Sequence, residues 1–172
     1  MEFRDLKKQY VALKNDIDRN IDEVIASSRF IGGSKVSELE EKLAAYVGVK
    51  HCVTCANGTD ALELALMAWG VGKGDAVFIP DFTFFSSGEV VSILGATPVF
   101  VDVDEDTFNM DPASLEKAID AVSTAGELKP SVVIPVDLFG LPANFVEIRK
   151  IADKYGLKVL EDGAQGFGGE ID

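Results

Sequence analysis

The runs Ala76-Val77-Phe78-Ile79 and Val132-Val133-Ile134-Pro135-Val136 are apolar at consecutive positions, and stretches of helical spacing lie between them. A strand with one wet face alternates apolar and polar residues, whereas a strand covered on both faces has no polar side to show. Short continuous apolar runs alternating with helical patterns therefore predict crossover units and a mainly parallel sheet flanked by helices, an α/β fold. Ligands of such sheets sit beyond the carboxyl ends of the strands. The residues that follow each run are thus the first place to seek chemistry.

The remaining elements follow from spacing and caps. Residues 4–27 carry Leu6, Tyr10, Leu13, Ile17, Ile21, Val24 and Ile25 at helical spacing. Ser37 and Glu40 read as a capping box for a helix through Tyr46. His51–Cys55 reads as a strand that feeds a helix over 59–69. Strand 76–79 is stopped by Pro80, and a helix is expected over 84–94. Pro98–Val103 is a further strand. Asp111 offers an N-cap and Pro112 the first position of a helix to Val122. Ser123–Glu127 reads as a surface loop, Pro142 as the start of a helix through Tyr155, and Leu157–Glu161 as a last strand.

A length of 172 residues suits one domain with a sizeable core. A net charge of −13 repels phosphate backbones and argues against a nucleic-acid partner. No apolar run is long enough to predict a membrane span. Met1-Glu2-Phe3-Arg4-Asp5-Leu6-Lys7-Lys8 is charged where a signal peptide is apolar, so the cytoplasm is the expected location. Cys52 and Cys55 form a C-x-x-C, but residues three apart on a strand face opposite ways, and no second pair completes a zinc site. Burial as small apolar side chains is expected of them instead. Asp102–Asp106 opens like a calcium loop, yet Thr107 and Ala113 stand where Gly and Glu are required. His51 has no nucleophile in an evident pattern and is assigned a structural role.

Asn57-Gly58-Thr59-Asp60 stands where a helix begins, and free N–H groups with the helix dipole favour an anion there. An ordinary cap explains the same residues. Asp162 ends a strand run, where its carboxylate could hold a protonated ring nitrogen or cap a loop. Gln165 could donate to a phenolic oxygen or satisfy loop backbone. Phe84, after Pro80-Asp81, could stack on a planar ligand or belong to the core. A phosphate cradle and a carboxylate for a heterocyclic nitrogen together point to pyridoxal phosphate.

Five blocks carry a family resemblance: Phe3-Arg4-Asp5-Leu6-Lys7-Lys8-Gln9-Tyr10, Gly32–Glu40, Ala56-Asn57-Gly58-Thr59-Asp60-Ala61-Leu62, Pro80-Asp81-Phe82-Thr83-Phe84 and Glu161–Gly169. In this order the chain resembles the DegT/StrS family of nucleotide-sugar aminotransferases, pyridoxal-phosphate enzymes of the aspartate aminotransferase fold (fold type I). The resemblance implies that Gly58, Thr59 and Asp60 form the phosphate-binding turn and that Phe84 stacks on the pyridine ring. It also implies Asp162 at the ring nitrogen and Gln165 at the ring hydroxyl. Gly163 stands where the family usually has Ala, which predicts a freer loop.

The family's Schiff-base lysine lies past the Gly168-Gly169 stretch, and no lysine here stands in the matching motif. Residues 1–172 are therefore expected to be the N-terminal portion of the cofactor-binding large domain, without the C-terminal small domain and inactive alone. The implied partners are a nucleotide-sugar substrate, glutamate and a second copy in a homodimer. Two alternatives stay open. One is a pyridoxal-phosphate-dependent sugar dehydratase of the same family, with histidine in place of lysine; the other is a non-catalytic binding or regulatory relative.

Overall fold

The computed structural model describes residues 5–171. The chain forms two compact units that divide between Thr54 and Cys55. No helix among the described residues is long and apolar enough to cross a membrane. Phe3 and Arg4 of the first sequence block lie outside the described residues.

The first unit holds α1 (Leu6–Ser27) and α2 (Ser34–Val47). Asp5 caps α1 by accepting from the Lys8 N–H at 2.8 Å. Helix α2 begins at Ser34 with no side-chain cap, so Ser37 lies inside it and the expected capping box does not form. Glu40 is engaged elsewhere: its Oε1 accepts both the N–H and the hydroxyl of Thr54 at 2.9 Å. The same bonds explain why 51–55 is not a strand. Thr54 gives its backbone donor to a side chain, and no described strand pairs with the segment. His51 is exposed there, as is Cys55, against the expectation of buried cysteines.

The second unit runs α3 (Gly58–Ala68), β1 (Asp75–Pro80), α4 (Ser86–Ile93), β2 (Thr97–Val101), α5 (Pro112–Ala125), β3 (Lys129–Val133), α6 (Phe145–Tyr155), β4 (Lys158–Val159). The sheet order is β2-β1-β3-β4 and every pairing is parallel. The chain lays β2 on one side of β1 and then β3 on the other, which makes the gap between β1 and β3 a topological switch point.

The two-residue period of the strands sorts the core into two layers. Ala76, Phe78 and Val133 pack with Leu115, Ile119 and Ile148 of α5 and α6. Val77, Ile79, Val132 and Ile134 pack with Leu62, Leu66, Val90 and Val91 of α3 and α4. Both faces of β1 are therefore dry, as its unbroken apolar run required. Burial of each such valine, leucine, isoleucine or phenylalanine contributes on the order of 1.5–3 kcal/mol.

Several boundaries depart from expectation for local reasons. Pro80 is the last residue of β1, paired with Val101, rather than a stop beyond it. Strand β3 begins at Lys129 and ends at Val133. Pro135 has no N–H to continue the ladder, and Val136 meets only Asp162 in an isolated parallel bridge. Asp111 caps α5 as expected, accepting from Ala113 and Ser114. The helix continues through Ala125, and left-handed Gly126 ends it, so Ser123 is helical rather than in a loop. Helix α6 starts at Phe145 behind the cap Asn144, not at Pro142.

Candidate functional site

Strand parity continues past β4. Val159 packs into the layer of α5 and α6, and Leu160 into the layer of α3 and α4. Asp162, two residues beyond Leu160, comes to the α3/α4 side, where Ser87 Oγ of α4 donates to its Oδ2 at 3.3 Å. Its backbone is pinned as well: Asp162 N–H donates to Pro135 O at 2.9 Å, and its carbonyl accepts from the Asp137 N–H at 3.1 Å.

One cavity of about 200 Å³ is lined by Gly58, Thr59, Phe84, Ser86, Asp162 and Gln165, with Leu62, Val136 and Ala164. Five of the six sequence-predicted site residues thus meet, from the starts of α3 and α4 and the loops after β1 and β4. Asp60 is the exception. It does not line the cavity, and its N–H is taken by the Asn57 side chain at 2.9 Å. It remains an acid in the first turn of α3, where the helix dipole favours it.

The start of α3 supplies donors. Asn57 accepts from Asp60 through its side chain and from Ala61 through its carbonyl. Among the described residues the N–H groups of Gly58 and Thr59 have no such partner. A Cβ built at Gly58 meets no protein atom within 4 Å, so the missing side chain leaves open space at the cavity wall. The Thr59 hydroxyl lies 2.7 Å from Ser86 Oγ. Two free N–H groups and two hydroxyls suit an anion with several oxygens.

Gln165 has a fixed orientation. Its Oε1 accepts the Phe139 N–H at 2.7 Å, so the loop-satisfying role weighed from sequence is realised by one end of the amide. The Nε2 end is left for other acceptors. Phe139 adopts a left-handed backbone, φ 56, within a single 3₁₀ turn, Leu138–Gly140. Buried Asn109 braces this loop, accepting from the Leu138 N–H and donating to Leu141 O and Pro142 O. Phe84 is 70% exposed, so its ring is free to cover a ligand and does not belong to the core.

Behind the cavity, Asp137 is buried and accepts the Ala143 N–H at 3.0 Å. A Cβ at Gly166 would lie 2.5 Å from Asp137 Cβ, so only glycine fits. Gly163 has no such need: its nearest neighbour would be Glu161 Oε1 at 3.5 Å, and an alanine fits there. Partial burial, and then the Asp137 carboxylate, push the Glu161 carboxyl above the ordinary glutamate range.

Sequence reasoning passed over Ser86, Ser87, Asn109 and Asp137. The first two had a signal, adjacent hydroxyls opening a helix just after a strand loop; the others lie in loops whose spacing carries none. No group of acids, histidines and cysteines among the described residues could hold a metal ion.

Known proteins resemble the chain over nearly its whole length. The model of the DegT/DnrJ/EryC1/StrS aminotransferase family matches residues 11–172. The chain is 48% identical over 168 residues to the UDP-2-acetamido-2-deoxy-3-oxo-D-glucuronate aminotransferase of Pseudomonas aeruginosa, covering 98% of this chain and 45% of that protein. A crystal structure of a DegT DnrJ EryC1 StrS aminotransferase from Brucella abortus superposes with a TM-score of 0.94 at 50% identity, over 96% of this chain and 44% of that one. The Bacillus subtilis protein NtdA with bound cofactor PMP superposes with a TM-score of 0.82 at 32% identity, over 90% of this chain and 34% of its own. The chain spans less than half the length of each of these relatives.

Proposed function

The chain belongs to the DegT/DnrJ/EryC1/StrS aminotransferase family, and on that premise we propose that the whole protein is a pyridoxal-phosphate-dependent aminotransferase. It moves an amino group from glutamate onto a keto-sugar carried by a nucleotide, in amino-sugar and polysaccharide biosynthesis. It works in the cytoplasm as a homodimer, with no nucleic-acid partner.

The observation that carries this reading is one cavity bounded by two unpartnered helix N–H groups, at Gly58 and Thr59, and by the Asp162 carboxylate. These residues fit the cofactor's chemistry. Gly58 and Thr59, with the Ser86 hydroxyl, bind the phosphate. Asp60 supports that turn through the Asn57 cap rather than by touching the ligand. Asp162 accepts the ring N–H and keeps the proton there. Gln165 donates from Nε2 to the ring oxygen, and Phe84 covers the ring face and excludes water from it. When bound, pyridoxal phosphate would supply an electron-withdrawing ring for the chemistry of amino transfer.

The test is the full-length protein assayed with nucleotide keto-sugars and glutamate, with the bound cofactor followed by absorbance. Amino transfer that Asp162→Ala abolishes is the expected result. Loss of water from the sugar without amino transfer would replace this reading by the dehydratase, and no cofactor uptake by a binding or regulatory relative.

A further inference from the structure

We propose that Ser87, backed by Thr83, is the positioning residue that orients the Asp162 carboxylate; the inference rests on the pyridoxal-phosphate reading of the cavity. Ser87 is fully buried on α4, and its Oγ lies 3.3 Å from Asp162 Oδ2, across 75 positions of sequence. Thr83 Oγ1 lies 3.1 Å from the same Ser87 Oγ.

The direction of this chain follows from proton count. An ionised carboxylate only accepts, and a serine has one O–H to give. Ser87 gives that proton to Asp162, so the contact with Thr83 is made by the threonine hydroxyl donating to Ser87. The polarity is set from the acid outward: Thr83 to Ser87 to Asp162. The other carboxylate oxygen, Oδ1, accepts the Ala164 N–H at 3.2 Å. One donor on each oxygen fixes the carboxylate plane and leaves lone pairs for a further N–H.

Helical serines ordinarily return their proton to the preceding turn. Ser92 on the same helix does so, donating to Gly88 O at 3.2 Å. Ser87 reaches across to another element instead. No lysine or arginine among the described residues pairs with Asp162. The two hydroxyls therefore hold the acid in place without neutralising it, and its whole charge stays available to a protonated ring nitrogen.

The experiment uses the full-length protein and pyridoxal phosphate carrying ¹⁵N in its ring. Ser87→Ala, Thr83→Val and Thr83→Ser are compared with wild type by ring ¹⁵N shift, by the pH titration of bound-cofactor absorbance and by dissociation constant. Thermal melting checks that each variant folds. We expect Ser87→Ala to bind about tenfold more weakly and to move the ¹⁵N signal toward an unprotonated ring. Thr83→Val should shift it the same way by less, and Thr83→Ser should match wild type. A folded Ser87→Ala with wild-type ¹⁵N shift and affinity overturns the role while leaving the cofactor reading intact. A wild-type protein that takes up no cofactor overturns both.

Discussion

The backbone N–H of Phe139 donates to Oε1 of Gln165 at 2.7 Å, which makes the amide nitrogen the free end of that side chain. A residue in strained, left-handed conformation thus sets the direction of one in the cavity. Gln165→Glu keeps an acceptor for Phe139 and loses the amide N–H donor at Nε2. The full-length variant should bind pyridoxal phosphate about tenfold more weakly, a loss on the order of 1.4 kcal/mol. Absorbance titration measures it, and an unchanged affinity would remove Gln165 from the site.

Gly58 separates folding from phosphate binding. An added methyl meets no protein atom within 4 Å, so Gly58→Ala should shift Tm by no more than about 2 °C. Because the residue lines the cavity, the same methyl should weaken pyridoxal phosphate more than pyridoxal, which lacks the anion. Equal losses for the two ligands would place the phosphate elsewhere.

Asp111 tests the cap of α5. Burial pushes its carboxyl up, but hydrogen bonds from Ser114 and Ala113 outweigh that and hold it below the ordinary aspartate range. A carboxyl depressed in the folded state stabilises above its unfolded pKa of about 3.9, and that contribution fades as pH falls toward the folded value. Asp111→Ala should cost about 1 kcal/mol at pH 7. The gap to wild type should narrow in acid, as read by urea unfolding at two pH values.

Glu161 has the opposite sign. Partial burial and the Asp137 carboxylate raise its folded value, so the folded state holds the proton more tightly. Stability should be highest below the unfolded glutamate value of about 4.3 and decline as pH rises through the raised one. Glu161→Gln should remove this decline and raise Tm at pH 7 by roughly 2 °C. Melting curves converging near pH 4 would bear this out; a lower Tm at pH 7 would contradict it.

Much of the fold was legible because burial on both faces leaves a mark in composition. The run at 76–79 has no polar residue and lies wholly within the two-sided strand β1, whereas the run at 132–136 shares only Val132 and Val133 with β3. The residues that line the cavity were legible where a helix begins, as at Gly58, or just past a strand, as at Asp162. What could not be read was set by contacts between distant positions. Nothing local at Glu40 announces Thr54 as its partner, and that bond takes the Thr54 backbone donor that a strand ladder would need. Ser87 looks like any helical serine until the fold brings Asp162 beside it.

The alternation of sides along residues 159–162 sets a limit on how this segment can change. Glu161 and Asp162 are neighbouring acids assigned to opposite layers only by counting from β4. Deleting one residue between Leu157 and Leu160 would carry Asp162 into the place of Glu161, beside Asp137, and leave no carboxylate against Ser87. A gene could thus retain both carboxylates, and the look of the motif, while losing the geometry. Insertions and deletions here should be selected against more strongly than substitutions.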